Sequence, residues 1–173
     1  MFENIRADYR RYRSLEKNPL YILFEQGLWA ILVYRFGRWA RKFPVPVISH
    51  LLKLIAYLLF KSIEVSTGIS LPASAEIGRG FYVGHFGGII LHSSAKLGEN
   101  CSIGPGVVIG TRGQGSAGAP VLGNNVYIGV GAKVLGDIAI GHNVRIGANA
   151  VVLTDVPDNA TVVGIPAKII DKE

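Results

Sequence analysis

From Leu122 onward the apolar positions of this chain fall on a period of six. Leu122, Ile128, Val134, Ile140, Ile146 and Val152 each lead a hexad, and four of these six are followed directly by glycine (Gly123, Gly129, Gly141, Gly147). The same beat runs earlier through Leu71, Ile77, Val83 and Ile89. It resumes two residues out of phase at Leu91, Leu97, Ile103 and Ile109, then breaks between Thr111 and Pro120. Six fits neither the period of a helix nor the alternation of a hairpin meander. It predicts three short strands per turn, stacked as a parallel β-helix with coils about 4.8 Å apart. Each lead residue points inward. The residue four later is small or β-branched (Ala75, Cys101, Val107, Val126, Ala132, Ile138, Val144, Ala150), which suits a second inward position beside a tight corner. Glycine after the lead residue suits a corner that needs unusual φ or close backbone approach.

The pattern before the hexads is helical. Residues 3–17 predict a charged helix. Residues 19–42 carry Leu20, Leu23, Phe24, Gly27, Leu28, Ile31, Leu32 and Arg35 at helical spacing, with Pro19 near the start and Pro44 and Pro46 as the stop. A third helix is expected over 47–62, apolar nearly all round and therefore buried against protein or lipid. Packing of these helices on one another and on the solenoid is the expectation. The apolar stretch 43–60 is interrupted by Pro44, Pro46, His50 and Lys53. It falls short of the roughly 18 uninterrupted residues of a spanning helix, and an interfacial role stays open. The chain thus divides into a helical segment, 1–64, and a β-helix with a C-terminal cap, 65–173. Open solenoid ends are unpaired edges. The helices are expected to cover the first coil, and residues 156–172, with Pro157 and Pro166, the last.

Charge refines this picture. Residues 1–61 hold eleven Lys/Arg against four Asp/Glu, whereas the rest holds seven against eight. The basic third has no nucleic-acid reading motif, so nucleic acid is not an expected partner; an anionic membrane surface or an anionic substrate is. The charged opening residues, which lack an apolar core, predict no secretory signal, and the one cysteine, Cys101, suits a packing role and a reducing compartment. A cytoplasmic protein, stationed at the inner face of the membrane, is the expectation.

The run YIGVGAKVLGDIAIGHNVRIGANAVVLTDVPDNATVVGIPAKII (127–170) resembles the C-terminal signature of the hexapeptide-repeat acyltransferases. The segment AEIGRGFYVGHFGGIIL (75–91) and the lead-in Tyr34-Arg35 resemble bacterial serine acetyltransferases, and more closely the exopolysaccharide acetyltransferases of the colanic acid type. The resemblance implies a left-handed coil, acetyl-CoA as co-substrate, and a homotrimer with each active site between neighbouring subunits. It also implies cofactor contacts at Gly110, Thr111, Val130, Ala148, Thr154 and Lys168. The serine enzymes have Asp-His where this chain has Gly84-His85, and Asp-Arg-His-Pro where it has Ala117-Gly118-Ala119-Pro120. An amino-acid acceptor brings an ammonium and a carboxylate, and each wants an opposite charge. A saccharide hydroxyl is therefore the expected acceptor, in exopolysaccharide or capsule synthesis. Serine O-acetylation and a non-catalytic scaffold are the alternatives.

Acetyl transfer to a hydroxyl needs a base that works near neutral pH, and His85, which matches the family histidine, is the candidate. His92, directly after lead residue Leu91, and Arg112, the single charge in GTRGQGSAG (110–118), are candidate acceptor contacts. That glycine-rich stretch lacks the closing Gly-Lys-Ser/Thr of a phosphate loop. His142 reads as a solvated turn and His50 as structural or interfacial. No His/Cys cluster of metal-ligand spacing is present, so no metal is expected.

Overall fold

In the computed structural model, residues 1–15, 18–113 and 118–170 are described. Four helices come first: α1 (Phe2–Leu15), α2 (Pro19–Leu23), α3 (Gln26–Arg41) and α4 (Pro46–Thr67). Strands of two or three residues then wind into a three-sided parallel β-helix. Its first face stacks β1 (Ile69–Ser70), β4 (Ile89–Leu91), β7 (Val108–Gly110), β10 (Lys133–Leu135) and β13 (Val151–Val152). The second face stacks β2 (Glu76–Ile77), β5 (Lys96–Leu97), β8 (Val121–Leu122) and β11 (Ala139–Ile140). The third stacks β3 (Tyr82–Val83), β6 (Ser102–Ile103), β9 (Tyr127–Ile128), β12 (Arg145–Ile146) and β14 (Thr161–Val163). There β15 (Lys168–Ile170) folds back antiparallel on β14.

Every lead residue of the hexads is buried, and so is every small or β-branched partner four places on. Cys101 is one of these partners, and burial pushes its thiol up to about 11. The glycines after the lead residues serve close approach rather than unusual φ. A Cβ on Gly98 would lie 2.6 Å from the Gly123 carbonyl oxygen of the next coil, and one on Gly78 would lie 2.5 Å from that of Gly98. The left-handed backbone conformation falls instead on asparagines at the corner between the second and third faces: Asn100, Asn125, Asn143 and Asn159. Asparagine tolerates this region better than other non-glycine residues. Their amides also form a ladder, Asn125 donating to Asn143 and Asn143 to Asn159.

The helices cover the first coil by supplying hydrogen bonds that a further strand would have made. The Tyr34 hydroxyl donates to the Ala75 carbonyl and accepts from the Ile77 N–H, both at 2.9 Å. The Tyr12 hydroxyl donates to the Val83 carbonyl at 2.9 Å and accepts from its N–H at 3.2 Å. Between them, Arg35 pairs with Asp8 at 2.8 Å and donates to the carbonyls of Ile77 and Gly78, while Asp8 accepts from the Phe81 N–H. Both charges are almost wholly buried and fully engaged, the condition under which such a pair is tolerated.

Two helical expectations need correcting. The segment 19–42 is two helices, because the N–H groups of Phe24 and Glu25 turn back to Tyr21 and Ile22 and close α2. Gly27 then starts α3 hard against β3, leaving no room for a side chain beside the Val83 carbonyl and the Tyr12 hydroxyl. The third helix runs from Pro46 to Thr67, where Gly68 ends it in the left-handed conformation. The prolines precede or open it rather than interrupt it, so α4 is long and apolar enough to cross a membrane by length and composition. It is not buried within the chain: among its described residues only Ser49, Ala56 and Thr67 are.

Candidate active site

His85 leaves β3 at the corner between the third and first faces, exposed and with φ of 65°. A Cβ on Gly84 would lie 3.1 Å from the Tyr82 ring, and Gly87 and Gly88 continue the turn at positive φ. The backbone before His85 is fixed on two sides, since Gly84 donates to the Ile103 carbonyl and Tyr12 holds both polar groups of Val83. Burial drives the Tyr12 phenol pKa upward, so it stays a neutral donor and acceptor. Higher on the same corner the Asn149 N–H reaches the Val130 carbonyl, and a Cβ on Gly129 would press on the Ala148 N–H. Val130 and Ala148 therefore stack over the His85 corner. Lys168, exposed in β15, pairs across to Val163 beside Gly147 of this corner.

The remaining candidates gather at the opposite edge of the first face. His92 follows β4, its Nδ1 accepting from the Ser94 N–H at 3.2 Å, and its Cβ adjoins Gly110. Thr111 and Arg112 continue from Gly110. Arg112 lies across Gly136 and donates to the Leu153 carbonyl, which places it beside Thr154 among the expected cofactor positions. Within one chain, then, His85, Val130, Ala148 and Lys168 share one edge of the first face. His92, Gly110, Thr111, Arg112 and Thr154 share the other.

Three residues near these edges were missed by sequence reasoning. Tyr12 lies 71 positions from Val83, and only its i, i+4 spacing from Asp8 hints at a shared face. Lys133 donates to the Gly106 and Gly131 carbonyls at 2.6 and 2.8 Å, bracing the corner above His85. Asp137 is exposed at the next coil and packs directly against Gly118. That contact alters the electrostatics expected of the glycine-rich loop. Gln114 to Ala117 lie outside the described residues, but the loop returns beside a carboxylate and leaves beside the Arg112 guanidinium. His142 is a turn residue accepting from the Asn124 N–H at 3.0 Å, and His50 bonds the Pro46 carbonyl on exposed α4.

Comparison with known proteins places the chain. Residues 119–154 match the family model of the bacterial transferase hexapeptide (six repeats). A serine acetyltransferase of Synechococcus elongatus is 39% identical over 175 residues, covering 98% of this chain and 69% of the relative. One from Helicobacter pylori is 37% identical over 172 residues, covering 95% of this chain and 96% of its own. The chain belongs to the serine acetyltransferase family of hexapeptide transferases. It is an acyltransferase. A solved serine acetyltransferase from Brucella abortus, in complex with coenzyme A, superposes with a TM-score of 0.83 at 31% identity, over 97% of this chain and 68% of that one. These relatives are named for serine, and the finer resemblance to exopolysaccharide enzymes draws no support from them. The fold agrees with the helices and parallel sheets of the family.

Proposed function

We propose that the protein is an acetyl-CoA-dependent O-acetyltransferase in which His85 removes the proton of the acceptor hydroxyl. The observation that carries this is the His85 corner: an exposed imidazole on a backbone pinned by Tyr12 and Ile103, with glycines leaving space in front of it. The hydroxyl oxygen bonds to the thioester carbonyl carbon as its proton passes to His85. The C–S bond then breaks, and that proton goes to the departing sulfur. Gly110, Thr111, Val130 and Ala148 are small residues bordering one face, which suits backbone contact to the pantetheine amides. The coenzyme A complex of the Brucella relative supports the same co-substrate. Because the two sets of candidates border opposite edges of the first face, a homotrimer joining one edge to the other edge of a neighbour would complete the site. The left-handed coil of the family goes with that assembly.

For the acceptor, L-serine is the first reading. The names of the relatives support it, and so does the placing of Arg112 and Asp137 around the loop, opposite charges for a carboxylate and an ammonium. A saccharide hydroxyl is the second, favoured by Gly84, which puts no carboxylate beside His85, and by the neutral Ala119-Pro120. Measuring kcat/KM for L-serine beside a panel of neutral sugars, from the CoA thiol released, decides between them. Serine ahead by about 10-fold or more, lost in Asp137→Asn, supports the serine reading. Sugars ahead, with Asp137→Asn silent, supports the saccharide one. No CoA release with any hydroxyl acceptor overturns both.

A further inference from the structure

We propose that the arginines between α1 and the third face form a binding site for a diphosphate group, separate from the first-face edges assigned to acetyl transfer. Two open clefts meet at Arg11. One, of 790 Å3, lies along α1 and contains Arg6, Arg10, Arg11 and Arg79. The other, of 470 Å3, lies on the outer side of the third face and contains Arg11, Ser102, Tyr127 and Arg145. Register places Ser102, Tyr127 and Arg145 one above another on successive coils, so the second cleft follows the solenoid axis.

The wall between the clefts holds an unmet demand. Among the described residues, Arg11 Nε is shut off from solvent without a hydrogen-bond partner, and the same guanidinium reaches only Ser102 Oγ, at 3.4 Å. A buried charged donor without an acceptor is costly, and an incoming oxyanion supplies the acceptor. The neighbouring acids do not meet the demand. Asp8 is consumed by Arg35 and Glu99 is paired to Arg79 at 3.0 Å; among the described residues, Glu3 is the one carboxylate lining the first cleft, and none lines the second. Arg145 lies over the Tyr127 ring with 5.2 Å to its centroid, leaving its planar fork at the surface. Guanidinium forks match phosphate oxygens two at a time. Several forks along one groove, with the Asn100 and Asn125 amides at its rim, match a ligand with more than one phosphoryl group better than a single carboxylate. Two sources carry that chemistry: a nucleoside diphosphate and free inorganic diphosphate.

Titration calorimetry of the purified full chain with inorganic pyrophosphate, UDP and acetyl-CoA, at low salt, tests this without any acetyl transfer. Pyrophosphate and UDP are expected to bind. The double variant Arg11→Gln/Arg145→Gln should weaken both by at least about 10-fold, with acetyl-CoA binding unchanged. Tighter binding of UDP than of pyrophosphate assigns the site to a nucleotide; equal binding assigns it to the diphosphate alone. Arg145 is exposed, so Arg145→Gln alone carries the test if the Arg11 variant misfolds. Lys53→Gln, on α4, is the control. Absence of binding at millimolar ligand, equal weakening in the control, or weakening confined to acetyl-CoA overturns the proposal.

Discussion

At the scale of single residues, the His85 corner separates chemistry from positioning. The imidazole is exposed, and what holds it is backbone: the Tyr12 hydroxyl binds both polar groups of Val83, two residues upstream. His85→Ala removes the base and leaves that frame, so kcat is expected to fall by at least about 10²-fold with acetyl-CoA affinity intact. Tyr12→Phe keeps the ring and deletes the hydroxyl, stranding a buried N–H and carbonyl. That variant should lose about 1–3 kcal/mol of stability and keep most of its turnover per folded molecule. A thermal melt and a steady-state assay on both variants check the division. Near-normal turnover by His85→Ala contradicts the assignment of the base.

At the scale of elements, the glycine after each lead residue is where coil lies against coil. Gly98→Ala places a methyl 2.6 Å from the Gly123 carbonyl oxygen and 2.3 Å from Asn124 Oδ1. Neither coil can move away without breaking the strand pairing of β5 with β8. A loss of about 1–3 kcal/mol is expected, whereas Gly113→Ala, whose added Cβ meets none of the described residues, should stay within about 0.5 kcal/mol. Urea midpoints compare the two. The same geometry explains what was legible in the sequence. A coil that must return every strand to register leaves a fixed beat, so Leu122, Ile128 and Val134 announced the fold and its inward face. The expected cofactor positions followed from family resemblance, and the solenoid carries them to two edges of one face. What escaped was set by contacts without a local pattern. Tyr12 and Arg35 act on residues tens of positions away, and Asp137 meets the loop only because a coil brings it there. The break at Phe24 was hidden because the apolar spacing continues across it.

At the scale of the whole molecule, α4 presents Val47, Leu51, Leu54, Ile55, Leu58 and Val65 to the outside. Lys53 and Lys61 lie on the same helix, within a segment rich in basic side chains. We propose that this helix docks the enzyme on an anionic membrane, where apolar insertion and basic side chains contribute together. Co-sedimentation with anionic liposomes should need the negative lipid, weaken with salt and fall sharply in Leu51→Glu/Leu58→Glu. Equal recovery in the supernatant with and without those vesicles contradicts it and leaves packing against other copies to cover the helix. At the other side of the helical cap, the hydroxyls of Tyr12 and Tyr34 and the Asp8–Arg35 pair occupy the backbone groups of the first coil. A solenoid with bare ends is a template for its own growth, because each coil offers the next the pairing it received. Here α1 and α3 terminate that template with side chains, which cannot pass the pattern on. The cap is thus a stop against end-to-end polymerisation, and it keeps the number of coils a property of the gene rather than of protein concentration.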